Sequence, residues 1–273
     1  MKDRTSRGWH IVLSAALITL AVGSLLPLAV TFLTSIKRGR DLFDPLSTDF
    51  QPTLDNYRRV FQEVGIGFYM SNSLIVALAS VVATLVLALL AAYGLCRMRM
   101  RGERTIALAM LCLRTVPAIA LVLPYFLMAQ FLGIVDTKVL LVIAHMTFGL
   151  PLAIWLLRGF MRELPAELDE AAKVDGAGHL MILARVILPN MKPGIAAASI
   201  LLFIHSWNDY VFANVLTSTD SATFPTTMNF FMGINTVAYG EMAAAAIVGT
   251  TPILVLAAVF HRSLVSGFAR GAV

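Results

Sequence analysis

Charge is scarce in this sequence: Asp, Glu, Lys and Arg make up 14% of its 273 residues, against roughly 25% in soluble globular chains. Only two cysteines occur, Cys96 and Cys112, far from any CxxC spacing, so neither a disulfide framework nor a cysteine metal site is indicated. None of the five lysines (Lys2, Lys37, Lys138, Lys173, Lys192) follows a glycine, and the GxxxxGK[ST] loop that cradles nucleotide phosphates is therefore missing. HExxH and GxSxG are missing too, and His10, His145, His179, His205 and His261 do not pair at ligand spacing, which leaves an enzymatic reading with scattered single residues. No unit of 20 to 50 residues recurs, which excludes a repeat array.

What fills the space is apolar. Hydrophobic residues reach 58% and the mean hydropathy is +0.80, the composition of an integral membrane protein. Windows of about 19 residues pick out apolar runs at Ile11–Thr34, Tyr69–Cys96, Thr105–Gln130, Val139–Leu157, Ile195–Leu216 and Met242–Leu264, each long enough for the ~20 residues of a spanning helix. The expected fold is all-α: a single domain, 1–273, of six transmembrane helices. The basic start from Lys2 to Arg7 precedes an apolar run without a small-residue cleavage site, so a retained first span with a cytoplasmic N-terminus is expected.

Lys and Arg accumulate in cytoplasmic segments. With the N-terminus inside, Lys2, Arg4, Arg7, Arg97, Arg99, Arg101, Arg104, Arg158, Arg162, Lys173, Arg185, Lys192, Arg262 and Arg270 fall inside, and Lys37, Arg38, Arg40, Arg58, Arg59 and Lys138 outside. Both termini are then cytoplasmic. The net charge of +5 is accounted for by this bias and by anionic headgroups, without a nucleic-acid partner.

The most polar stretch, "ELDEAAKVDGAG" from Glu167 to Gly178, therefore lies in a cytoplasmic loop, about 159–194. Pro165 suits a helix start, and Glu167, Asp169 and Glu170 favour the positive end of its dipole. Asp175-Gly176 suits a stop with glycine in the left-handed conformation. A second short helix from about His179 would carry Leu180, Leu183 and Ile187 as an apolar stripe, ended by Pro189 and Pro193. Leu164, Leu168, Ala171 and Ala172 add a small apolar patch to the first helix. Spacing alone fits either an amphipathic element lying on the headgroups or a stiff knuckle shaped for a partner's groove.

The pattern Glu170-Ala171-Ala172, three residues, Gly176, nine residues, Val186-Ile187-Leu188-Pro189 resembles the EAA loop of permease subunits of ABC importers, EAA-x3-G-x9-I-x-L-P. Val186 stands in place of the usual Ile. "GLPLAIWLLRGFMRELPAELDEAAKVDGAG", "VILPNMKPG", "SWNDYVFANVLT", "TFPTTM" and "SGFARGAV" are similar to the carbohydrate class of that family, from about Pro117 onward. Asp209 stands where Glu is common, and the sequence stops at Val273 without the lysine-glycine ending often seen.

The resemblance implies a permease subunit that binds no cofactor itself. ATP and magnesium would sit in two separate ATPase subunits, a second homologous permease would complete the path, and an extracellular solute-binding protein would deliver sugar, all in a bacterial or archaeal cytoplasmic membrane. It implies ATPase coupling through Glu167, Glu170, Ala171, Ala172, Asp175, Gly176, Leu188 and Pro189.

Five residues are candidates for the translocation path: Arg114, Trp207, Asn208, Asp209 and Tyr210. A charge as deep as Arg114 must face a bundle interior or a watery path, as a structural ion pair or as a donor to sugar hydroxyls. Trp207 to Tyr210 combine aromatic faces with amide and carboxylate groups, which suits a sugar and also suits a membrane interface. Asn72, Gln130, His145, His205, Asn229 and Glu241 read as interhelical polar contacts. The segment "DFQPTLDNYRRVF" places Leu54, Tyr57 and Phe61 at helical spacing, and the loop Ser218–Met228 is a second outer surface. An ion-coupled transporter using Arg114, Asp209 and Glu241 is the alternative, and a non-transporting scaffold a third reading.

Overall fold

Glycine and proline punctuate a chain whose regular structure, among the described residues, is helical apart from one antiparallel bridge between Met232 and Val237. The computed structural model describes residues 3–44, 46–98, 100, 102–233 and 237–271, with side-chain surroundings for those between 9 and 260. Two units divide it, Met1–Gly67 with Thr227–Pro252 and Phe68–Thr226 with Ile253–Val273.

In the first unit, helix α1 (Asp3–Ser35) spans 33 residues; its described residues are exposed from Trp9 to Ala29, and the helix becomes buried only at its end, at Ser35. Its hydroxyls are hidden locally: Thr19, Ser24, Thr31 and Thr34 each donate to the carbonyl four residues back, at 2.8–2.9 Å, which lets polar side chains sit in hydrocarbon. Helix α2 (Asp55–Gln62) closes the end of α1. Buried Asn56 donates through Nδ2 to the carbonyls of Ser35 (2.8 Å) and Lys37 (2.7 Å), satisfying groups that a helix end leaves open. Of the three residues at helical spacing, Leu54 and Phe61 are exposed and Tyr57 is half-buried, its hydroxyl 2.7 Å from that of Ser35, while Asn56 and Val60 are buried. Hydrogen bonding to α1 outranks apolar periodicity in setting that rotation. The ammonium of Lys37, fully buried, donates to the Asp44 carbonyl at 2.7 Å and lies 4.8 Å from the Phe50 ring centre.

The second unit holds most of α3 (Ile66–Arg97), then α4 (Glu103–Leu113), α5 (Ala118–Leu132), α6 (Lys138–Glu163), α7 (Glu167–Val174), α8 (His179–Ile182), α9 (Leu188–Asn190), α10 (Lys192–Trp207) and α11 (Val211–Leu216). Helix α12 (Tyr239–Gly271) contributes residues to both units. One apolar cluster joins α3, α6, the α8–α9 segment and α10 around Leu157, Met161, Ile182, Ile187 and Phe203. A second joins α3, α5, α6 and α11 around Val122, Leu141 and Phe212. Helices α6 and α10 meet at glycines: a Cβ on Gly149 would lie 2.9 Å from the Leu202 side chain, and one on Gly194 would lie 2.6 Å from the Phe160 ring. Small residues allow such approach where lipid supplies no hydrophobic drive.

Among the described residues four helices are long and apolar enough to cross a membrane, and six spans result when each sharply bent pair counts as one. Two apolar runs expected to be continuous are broken. The third bends by 88° between α4 and α5, where Pro117, the N-cap of α5, is extended at φ −60°, ψ 132° and a proline disfavours the helical region for the residue before it. The fifth run ends its first helix at Trp207 and resumes at Val211. Helical counting across residues 208–210 therefore fails.

Candidate functional site

The polar loop folds as a knuckle. Helix α7 begins at Glu167 with Ala166 as its N-cap, so Pro165 lies just outside the first turn. Its end is a Schellman closure: the Gly176 N–H donates to the Lys173 carbonyl (3.0 Å) and the Ala177 N–H to that of Ala172 (2.9 Å), with Gly176 at φ 82°. Glu167, Glu170, Ala171 and Asp175 are exposed, and Val174 is 88% exposed. Ala172 and Ala177 rest instead against the apolar cluster of the second unit. The knuckle thus presents an acidic outer surface and a small apolar inner one.

Beyond Gly178 the chain runs helically from His179 through Asn190, with a π-helical turn at Leu183–Ile187. Pro189 does not end this segment, contrary to expectation. A proline within a helix lacks an N–H and crowds the carbonyl four residues back, and the widened turn just before Pro189 accommodates both effects. The chain turns by 83° only after Asn190. The expected stripe also shifts: Ile182, Leu183 and Ile187 are buried, Leu180 is 73% exposed and Leu188 half-buried.

The apolar patch expected on α7 is only half realised: Leu164 and Ala172 pack inward, Leu168 and Ala171 are exposed, and the sequence pointed to Asp169 only as an acid at the helix start. Asp169 is buried, and its Oδ2 lies 3.3 Å from Arg97 Nε at the end of α3. The pair is close without hydrogen-bond alignment through these two atoms. Arg97 Nη2 also donates to the Leu164 carbonyl at 2.9 Å. One turn earlier on α3, the Tyr93 hydroxyl is 3.2 Å from His179 Nδ1. The signal available in sequence was the spacing of Asp169 and Ala172, which share a helix face three residues apart. Close by, Glu103 accepts from Arg158 Nε (2.6 Å) and Arg162 Nη2 (2.7 Å), tying α4 to the end of α6.

The path candidates separate by burial. Trp207 is buried, stacked between Phe203 (ring centres 5.5 Å apart) and Phe224 (6.3 Å), which places its faces in packing. Asn208 caps the end of α10 and is exposed, as is Tyr210. Asp209 accepts from the Ala213 N–H at 3.1 Å and lies 3.3 Å from His145 Nε2. The other ring nitrogen of His145, itself buried, is 2.7 Å from the Ser206 hydroxyl. The imidazole on α6 thereby brackets the interruption between α10 and α11. Arg114 is exposed and caps the end of α4 at the 88° bend. It thus stands where two short helices meet.

Asp136, at φ 56°, gathers the loop after α11. Its carboxylate accepts N–H bonds from Ser218 (2.9 Å), Thr219 (3.0 Å), Asp220 (3.2 Å) and Ser221 (3.1 Å), and an O–H bond from Ser221 (2.7 Å). Partial burial opposes the charge, but the Ser221 hydroxyl and the backbone donors outweigh it and hold this carboxyl far below the usual range. Asn72 Nδ2 donates to the carbonyls of Asp220 (3.2 Å) and Ala222 (2.9 Å). The loop is therefore fixed from the α5–α6 turn and from α3.

A cavity of ≈ 230 Å³ between α3, α10 and α12 is lined by Leu78, Val81, Ile200, Phe203, Leu256 and Phe260. Ser199 in its wall donates to the Ile195 carbonyl. Such a lining offers a sugar almost nothing to hydrogen-bond, so the cavity is no place for one.

Broken apolar helices and an exposed acidic knuckle define an all-α, multi-pass membrane protein. The family described as "Binding-protein-dependent transport system inner membrane component" matches residues 84–270, and the chain belongs to it. It is 38% identical to the trehalose transport system permease protein SugB of Mycobacterium tuberculosis, over 95% of this chain and 96% of that one. It is 31% identical to the trehalose/maltose transport system permease protein MalG of Thermococcus litoralis, covering 96% of each. In fold it is similar to a chain of a bacterial ABC transporter involved in the import of the acidic polysaccharide alginate, with a TM-score of 0.79 and 23% identity over 96% of this chain and 98% of that chain.

Proposed function

We propose that the chain forms half of the membrane path of an ATP-driven sugar importer and couples it to separate ATPase subunits. It is the permease subunit: ATP and magnesium belong to two partner ATPases, an extracellular binding protein delivers the sugar, and a second, different permease completes the path. The knuckle at Glu167–Pro189 carries this reading. Its exposed acidic helix, fixed left-handed corner and packed inner face give a stiff projection that a moving groove can carry. Relatives named for trehalose, maltose and maltodextrin support a sugar as cargo. The bias of Lys and Arg supports a cytoplasmic knuckle and cytoplasmic termini in a bacterial or archaeal inner membrane. Asn208, Tyr210 and Arg114, all exposed, are the residues proposed to line the path, while Asp209 holds the break in the fifth run. Closure of the ATPases favours the outward-open path only if ATP binds that state better, which is a population shift.

Reconstitution of the complex in vesicles tests this. Uptake should require ATP and the loaded binding protein, and should survive collapse of proton and sodium gradients. Uptake that stops with the gradients and ignores ATP would establish ion coupling instead.

A further inference from the structure

A projection transmits movement only where it is gripped. Helix α7 has eight residues, and most of its side chains face outward: Glu167, Leu168, Glu170, Ala171, Lys173 and Val174 are exposed. Only Ala172 and Asp169 turn inward, and a single methyl group is a weak handle. Asp169 is different. Its carboxylate is 4% exposed as a residue and 3.3 Å from Arg97 Nε. The same guanidinium donates to the Leu164 carbonyl just ahead of the knuckle. Tyr93, four residues before Arg97 and hence on the same face of α3, reaches His179 just behind it. The end of α3 thus holds the knuckle before, within and after α7.

We propose that Arg97 and Asp169 form the clasp through which displacement of the knuckle is delivered to α3, so that they position the path without touching sugar or nucleotide. This rests on the importer reading. An ion pair with one member buried and the other nearly so suits the task because it resists separation: removing one partner strands a charge. Apolar contact alone would let the knuckle slide. The clasp also separates two roles within one acidic cluster, with Glu167 and Glu170 facing the ATPase and Asp169 facing the spans.

The test uses the complete importer carrying Arg97→Asp, Asp169→Arg, the double exchange, and the neutral Asp169→Asn. Complex yield, ATP hydrolysis, and sugar taken up per ATP hydrolysed are measured. Each reversal should leave the ATPases bound yet lower sugar per ATP at least about tenfold, as expected when a buried pair becomes a like-charge pair. The double exchange should recover most of the coupling, and Asp169→Asn should fall between. Wild-type coupling in both reversals overturns the proposal. So does loss of all four variants from the membrane, or a double exchange no better than its parents, because the pair is then a folding contact. A wild-type complex that needs no ATP would instead defeat the importer reading, whatever the variants do.

Discussion

Gly194 on α10 faces Phe160 on α6 so closely that a Cβ at position 194 would lie 2.6 Å from the ring. That approach is tighter than carbon atoms tolerate, so even a methyl group must displace the ring or part the helices. Gly194→Ala should destabilise the subunit by about 1–3 kcal/mol, the usual cost of overpacking. Gly159→Ala, with nothing within 4 Å, should be near neutral. Thermal unfolding in detergent compares the two, and Phe160→Leu in the Gly194→Ala background should recover part of the loss. Equal behaviour of both alanine variants would show that α6 and α10 are further apart than this.

Gly176 presents the opposite case. Nothing lies within 4 Å of a Cβ built there, but its φ is 82°, where an L side chain costs roughly 1–2 kcal/mol. Gly176→Val should insert and accumulate normally while uptake falls, because strain at the Schellman closure rotates α7. Gly178→Ala, at φ −75°, should leave uptake unchanged. Unimpaired uptake by well-expressed Gly176→Val would rule out the corner as the source of knuckle geometry.

Asp136 gives a pH signature. Its folded pKa is depressed, so the stability it contributes is present above the unfolded value of about 3.9 and is lost as pH falls through the folded one. Asp136→Asn should therefore lower the melting temperature by several degrees at neutral pH. The gap to wild type should stay constant from about pH 8 to 5 and narrow only in stronger acid. A gap that changes between pH 8 and 6 would mean that another group governs the loop.

Arg114 is exposed at the bend between α4 and α5, so Arg114→Ala strands no buried partner. Complex yield should hold and uptake should fall if the guanidinium meets the passing sugar. Loss of yield with normal uptake per complex would make Arg114 a structural residue.

The apolar runs and the knuckle were legible because each is a local property: composition over some twenty residues marks a span, and a glycine beyond an acidic helix marks its corner. Rotation and interruption were less legible. Asp169 turns inward because Arg97 waits on a helix distant in sequence, and Leu54 turns outward because Asn56 has the end of α1 to bond. The break at 208–210 stays apolar enough on both sides to read as one helix. At the break, Asp209 accepts a hydrogen bond from the Ala213 N–H and lies against His145, contacts that no periodicity records.

That break supports the last prediction. Asp209 is committed on two sides: it accepts from Ala213 N–H in the first turn of α11 and lies against buried His145. Removing the carboxylate costs about 1 kcal/mol for a lost helix-start acceptor and leaves the imidazole facing an apolar gap. Asn208, adjacent in sequence but exposed at the end of α10, can both donate and accept toward hydroxyls. Asp209→Ala should therefore reduce the yield of assembled complex, with uptake per surviving complex nearly unchanged. Asn208→Ala should assemble normally and take up sugar more slowly. His145→Ala should resemble Asp209→Ala, and the double variant should be little worse than either alone, since both remove the same contact. Parallel yield and uptake assays read all four variants. Should Asn208→Ala fail to assemble while Asp209→Ala assembles and stalls, the carboxylate would belong to the path, and the clasp around His145 would have to open during transport.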